Sequence, residues 1–416
     1  MGREVTKIMI ETGTILDTGS LPSDWKALPF DACIDEGAVE RKPSVLQGSY
    51  KPTGRFPVVD QGSSSIAGYT DDGNLVHRGD LPIILFGDHT RIFKFLDFPF
   101  ATGADGTKLF RASEETVEPK FLYYALLHLD IPSRGYNRHF KYLKEKTILL
   151  PYRHDEQRAI AAVLAKIQTA VEVQEKIVGT LKELKGAMMA KLFRHGLRGE
   201  SASRSETRFG QVPQEWEIES LSEHAYVQTG VAKGRKIDNS SAIELPYLRV
   251  ANVQDGYLDL SEIKTIRLRN TERERYSLQV DDVLLTEGGD FDKLGRGYLW
   301  KGQIKNCVHQ NHIFSVRTNR KTLLPQFFVY LVQSPYGKAY FLSVAHKTTN
   351  LACINSIKLK AFPTLLPSVS EQHEISAILT KIDQKIDEHT DKLETFKHLL
   401  SSMLHLLMTG QVRVKS

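Results

Sequence analysis

The chain has little cysteine: Cys33, Cys307 and Cys353 lie far apart, and no CxxC pair occurs. That excludes a disulfide framework and a cysteine-based zinc site, and points to a reducing, cytoplasmic setting. Long hydrophobic runs are missing as well. The densest, such as Leu81-Pro-Ile-Ile-Leu-Phe86, are strand-length, far short of the ~20 apolar residues of a membrane helix, so no membrane partner is expected. The N-terminus, Met1-Gly-Arg-Glu-Val-Thr-Lys7, lacks the charged-then-apolar layout of a secretion signal. Neither charge sign dominates. The 55 Lys and Arg against 50 Asp and Glu leave a net charge of +5, which permits nucleic-acid binding without requiring it.

Signatures of catalysis are also wanting. The glycine-rich stretch from Glu287 to Gly297 lacks the Gly-Lys-Ser/Thr ending of a phosphate-binding P-loop and the spacing of a dinucleotide fingerprint. Asp97-Phe-Pro-Phe100 approaches the Asp-Pro-Pro-Phe of adenine methyltransferases, but its first proline is absent and no acidic-then-glycine cofactor strand precedes it. It reads as a turn. His309 and His312 have no nearby Cys or third His to complete a metal set. There is no Gly-x-Ser-x-Gly elbow and no His-Glu-x-x-His. Weight moves from enzyme to binding module.

What is present is a repeat. Asp155-Glu-Gln-Arg-Ala-Ile160-Ala-Ala-Val-Leu164 and Ser370-Glu-Gln-His-Glu-Ile375-Ser-Ala-Ile-Leu379 align without a gap, each a few residues after a proline, Pro151 or Pro367. From there Ile160, Leu164, Ile167, Val171, Gln174, Val178, Leu181, Lys185, Met188 and Leu192 step by alternating four and three. Ile375, Leu379, Ile382, Ile386, His389, Leu393, Phe396, Leu400, Met403 and Leu407 follow in the same register. Such spacing over about four heptads is the seam of a coiled coil. Gly196 and Gly410 mark the expected stops. Each helix should be some 37 residues and roughly 55 Å long. The polar mid-seam pair, Gln174 and His389, either sets register or is tolerated near solvent; the sequence leaves both open.

A second mark opens each globular half: Leu21-Pro-Ser-Asp-Trp25 and Val212-Pro-Gln-Glu-Trp216. Between mark and helix the halves share little sequence. Expected strands cover Phe56–Asp60, Leu81–Phe86 and Thr147–Leu150, then Pro246–Val250, Asp282–Thr286 and His312–Val316. Short helices are expected at Pro119–Leu129 and Leu324–Val332. The expected order is a globular domain over 1–150, a helical region over 151–197, a linker over 198–212, a second globular domain over 213–366, a second helical region over 367–410, and a tail over 411–416. The fold class is α+β, with two long antiparallel helices related by a pseudo-twofold axis.

These marks, in this order and doubled, resemble the specificity subunits of Type I restriction–modification enzymes. Val59-Asp-Gln-Gly62, Arg134-Gly-Tyr-Asn-Arg-His-Phe140, Leu285-Thr-Glu-Gly-Gly-Asp290 and His309-Gln-Asn-His312 are also similar to that family's target recognition domains. The resemblance implies a non-catalytic subunit whose two domains each read half of a split, asymmetric site in double-stranded DNA. It implies two modification (methyltransferase) subunits docked on the helices, and restriction/translocation subunits in the larger complex. AdoMet and ATP/Mg then belong to those partners, and no cofactor to this chain.

Side-chain chemistry supplies the candidates, since Arg, Lys, Asn, Gln and the acids match base edges. In the first half they are Gln61, Ser63, Arg134, Asn137, Arg138 and Lys141. In the second they are Glu287, Asp290, Lys293, Arg296, Gln310, Asn311, Lys347 and Asn350. Arg158, Glu172, Glu175 and Glu183, off the seam, are candidates for docking the partner subunits. Two rivals stand beside this reading: a stand-alone methyltransferase or nuclease, and a coiled-coil adaptor whose globular halves bind proteins.

Overall fold

The computed structural model describes residues 7–9, 15–17, 21–79, 81–103, 106–133, 135, 137–199, 203–234, 237, 242–289, 294–347 and 352–414. Arg134, Asp290, Lys293 and Asn350 therefore lie outside the described residues. The fold is mixed α+β, with two long helices, His154–His195 (42 residues) and Val369–Met408 (40 residues).

The chain forms two compact units. One comprises Met1–Glu175 and Asp391–Ser416, the other Lys176–Thr390. Each unit thus holds one globular half and a length of both helices, which differs from the segment-by-segment order read along the chain. A helix buries its apolar stripe on whatever lies beside it, whichever part of the sequence supplies that surface.

In the first unit, Ile160 and Leu164 share a core with Leu407 and Met408, and Lys397 Nζ is 3.2 Å from Glu175. In the second, Leu192 and Phe193 share a core with Ile375 and Leu379, and Lys185 Nζ is 2.7 Å from Asp383. Within each unit the start of one helix lies beside the end of the other, so the helices run antiparallel there. Every seam position named above is buried or half-buried. Both stops hold: Gly196 and Gly410 have φ of +62° and +70°, a conformation that spares glycine the Cβ clash other residues meet.

The globular halves correspond despite their unlike sequences. Trp25–Pro29 pairs with Thr147–Pro151, and Glu217–Ser220 with Pro363–Leu366. Each pair ties the chain after the Trp mark to the chain before the long helix. Each half has a four-stranded antiparallel sheet. One is ordered Ile34–Asp35, Thr107–Ala112, Ile83–Gly87, Phe93–Leu96; the other Ala225–Thr229, Ile313–Thr318, Val283–Thr286, Gly297–Leu299. Each also contains a parallel pair, Phe56–Val59 with Phe100–Thr102 and Ala242–Leu248 with Val308–His309. The short helices are Pro119–His128 and Pro325–Gln333, each with proline in its first turn, where the missing N–H is no loss.

The Glu-Gln motif, read as a helix start, is also a joint. Gln157 is fully buried; its Oε1 accepts from the Glu118 N–H at 2.8 Å and its Nε2 donates to the Pro151 carbonyl at 2.9 Å. Gln372 repeats this with the Leu324 N–H at 2.8 Å and the Pro367 carbonyl at 3.0 Å. In both copies the glutamine meets the residue just before the short helix, so it clamps the globular half to the long helix. The preceding glutamates finish the joint. Glu156 accepts from Arg413 Nε at 2.7 Å, and Glu371 accepts from the Leu197 N–H at 3.0 Å and Trp216 Nε1 at 3.2 Å.

The expected linker is partly folded. Arg204–Thr207 and Gly210–Pro213 form an antiparallel hairpin, and Phe209 at its turn stacks edge-on against Tyr336 and Tyr340. Composition misled here, because a single half-buried aromatic packed on a core can order a polar stretch that has no periodicity of its own.

Candidate functional site

In the first unit, the loop after strand Phe56–Val59 carries Gln61 and Ser63. Ser63 is exposed; Gln61 is half-buried, and its Oε1 accepts from the His89 N–H at 3.2 Å. The neighbouring residue, Asp88, is buried and anchors a second loop. Its Oδ1 accepts from the Phe140 N–H at 2.8 Å, and its carbonyl accepts from the His139 N–H at 2.9 Å. Asn137 and Arg138 are exposed just before helix Phe140–Lys144, and exposed Lys141 lies within it, 4.8 Å over the Tyr142 ring. The turn at residues 87–91 therefore brings both candidate loops together.

In the second unit, Glu287 follows strand Val283–Thr286, and its Oε2 is 2.5 Å from His312 Nδ1. Gly288–Gly289 pairs with Ala352–Cys353, which pairs in turn with His346–Lys347. The Arg296 carbonyl accepts from the Thr286 N–H at 2.9 Å, and its guanidinium donates to Gln254 at 2.9 Å. Gln310 Oε1 accepts from the Val250 N–H at 3.4 Å, and Asn311 is half-buried beside His312. Glu287, Arg296, Gln310, Asn311 and Lys347 thus stand at the ends of four strands, Val283–Thr286, Gly297–Leu299, Val308–His309 and His346–Lys347.

Several supporting groups escaped sequence reading. Asp282, fully buried, receives Arg317 Nε and Nη2 at 2.8 Å each and the Gln279 N–H at 2.9 Å. This pair holds Arg317 above its ordinary pKa through the hydrogen bond and opposes its burial. His309 is buried, with Nδ1 3.0 Å from the Ile313 carbonyl. Burial pushes its imidazole down to about 4, so it is neutral and Nδ1–H donates. A β-carbon on Gly230 would come within 1.9 Å of the His309 carbonyl oxygen, so only glycine fits beside it. His309 and His312 face different partners, the Ile313 carbonyl and the Glu287 carboxylate. Sequence carried one usable signal, the doubled His in His309-Gln-Asn-His312; nothing in it foretold Arg317.

Arg158, Glu172, Glu175 and Glu183 are all exposed on the first long helix. Glu172 accepts from Gln168 at 3.1 Å, and Glu175 pairs with Lys397. No helix among the described residues is long and apolar enough to cross a membrane.

Residues 213–398 match the family described as the Type I restriction modification DNA specificity domain. The chain is 23% identical over 207 residues to the MjaX specificity subunit of a type I restriction enzyme from Methanocaldococcus jannaschii, covering 50% of this chain and 48% of that protein. It is 26% identical over 271 residues to the MjaVIII specificity subunit of the same organism, covering 63% and 61%. The matches thus span about half to three fifths of those relatives' length. The fold is similar to that of the Type-I restriction-modification system S subunit from M. genitalium, with a TM-score of 0.58 at 16% identity, over 92% of this chain and 96% of that one.

Proposed function

We propose, from the match of residues 213–398 to the family described as the Type I restriction modification DNA specificity domain, that the chain is the sequence-reading subunit of a Type I restriction–modification complex. Each globular half reads one part of a bipartite, asymmetric DNA site. The long helices space the two readers and carry the docking surface for two methyltransferase subunits, with Arg158, Glu172, Glu175 and Glu183 among its residues. The chain performs no catalysis in this reading; AdoMet and ATP/Mg act in the modification and restriction/translocation subunits.

The observation that carries this is the doubled joint. Gln157 and Gln372 make the same bonds to the same framework, while the globular halves that framework supports share little sequence. A shared frame with unlike loops suits common partners and separate targets. Exposed side chains such as Arg138 and Ser63 suit base edges or phosphates.

Methylation mapping of cells carrying the complex tests the reading. Arg138→Ala is expected to relax discrimination at one half-site by roughly tenfold, leaving the other untouched. Loss that is uniform across sequences would instead make Arg138 a phosphate contact. Inserting one heptad into each long helix is expected to lengthen the unread spacer by about 10 Å, or some three base pairs, and to alter neither half-site. An unchanged spacer rules out the helices as its ruler.

A further inference from the structure

Lys94 sits where a lysine is costly. It lies on strand Phe93–Leu96 and is only 8% exposed. A methionine of similar length would fill that space without desolvating a charge. Its ammonium donates instead to two backbone carbonyls, Asp60 at 2.7 Å and Ser64 at 2.6 Å, with the Asp60 carboxylate 4.0 Å away. Burial holds its pKa below the ordinary value, and the Asp60 charge opposes that shift.

The two carbonyls bracket residues 61–63, which are tied down from the other side as well. Thr90 Oγ1 donates to the Gln61 carbonyl at 2.7 Å, and the Gly62 N–H donates to Asp60 Oδ1 at 2.8 Å. Gly106 closes the rear; a β-carbon there would come within 3.0 Å of the Gln61 amide. A loop held at both ends and at its centre presents exposed Ser63 in one arrangement and loses little freedom on contact with a ligand.

Resting on the function proposed above, we infer that Lys94 is the positioning residue for a base-reading loop over residues 60–64, and that it sets specificity in the first half of the site without touching DNA. Being buried, the ammonium serves the loop's backbone and no phosphate.

The test uses the full chain assembled with its modification subunits, and duplexes carrying the mapped site or single-base changes in either half. Lys94→Met is expected to reduce discrimination in the first half about tenfold, with the second half and the thermal midpoint little changed. Lys94→Arg, which keeps donors for the carbonyls, is expected to retain more. Thr90→Val, at an exposed position, loosens the same loop and should shift first-half discrimination in the same direction, by less. If the wild type reads both halves and Lys94→Met reads them equally well, this inference is overturned and the proposed function stands. Equal loss at both halves overturns it too, as the mark of a fold-wide role. A wild-type complex with no sequence preference removes the proposed function, and this inference with it.

Discussion

Replacing Arg317 with leucine is expected to destabilise the second unit by about 4 kcal/mol and to lower its thermal midpoint by about 10 °C. The reason is the asymmetry of its ion pair. Asp282 is fully buried, whereas the Arg317 side chain keeps 38% exposure. Removing the arginine strands a carboxylate in the interior with one backbone N–H from Gln279 to satisfy it. Removing the carboxylate instead leaves a guanidinium that water reaches, so Asp282→Ala should cost about half as much. The pair stands directly before strand Val283–Thr286, which leads to Glu287, so under the proposed function Arg317→Leu should also weaken reading of the second half-site. Urea denaturation of the two single variants and the double variant measures the asymmetry. Equal costs would mean that water reaches Asp282 as readily as Arg317.

Stability of the same unit is expected to fall by about 3 kcal/mol between pH 6.5 and pH 4, through His309 alone. Its folded pKa of about 4 lies below the ordinary imidazole value of 6.5. In that window the unfolded chain takes up a proton that the folded chain refuses. The contribution is therefore complete above the unfolded value and is lost as pH falls through the folded one. His309→Phe is expected to flatten this slope by up to one proton, at the expense of the bond to the Ile313 carbonyl. Denaturation midpoints measured across the range decide it, and an unchanged slope would show that His309 is already protonated in the folded state.

The scaffold was the legible part. The heptad seams, glycine stops and Glu-Gln starts are local or periodic features, and a helix displays its buried face at fixed intervals along the chain. Their positions in space agree with that reading residue by residue, from Ile160 through Leu407. The candidate surface was legible only as a set of residue types. Gln61 and Gln310 looked like base readers by chemistry, yet both spend their side-chain oxygen on backbone N–H groups within their own units. Ser63, Asn137, Arg138 and Lys141 carry no such mark in the sequence and are exposed.

By itself the sequence determined that one module is written twice, where its helices begin and end, and which of their faces is buried. It also marked off two unlike globular halves. Only the tertiary structure decided that each compact unit borrows a length of both helices, and that part of the linker is a hairpin pinned by Phe209. It alone showed that Lys94, Asp88, Asp282 and His309 brace the candidate loops from within. The physical reason is the range of the interactions. Helical periodicity repeats every few residues and survives in one dimension. A buried ammonium or carboxylate is tolerated only by partners that chain folding delivers, 34 residues away for Lys94 and Asp60 and 35 for Arg317 and Asp282.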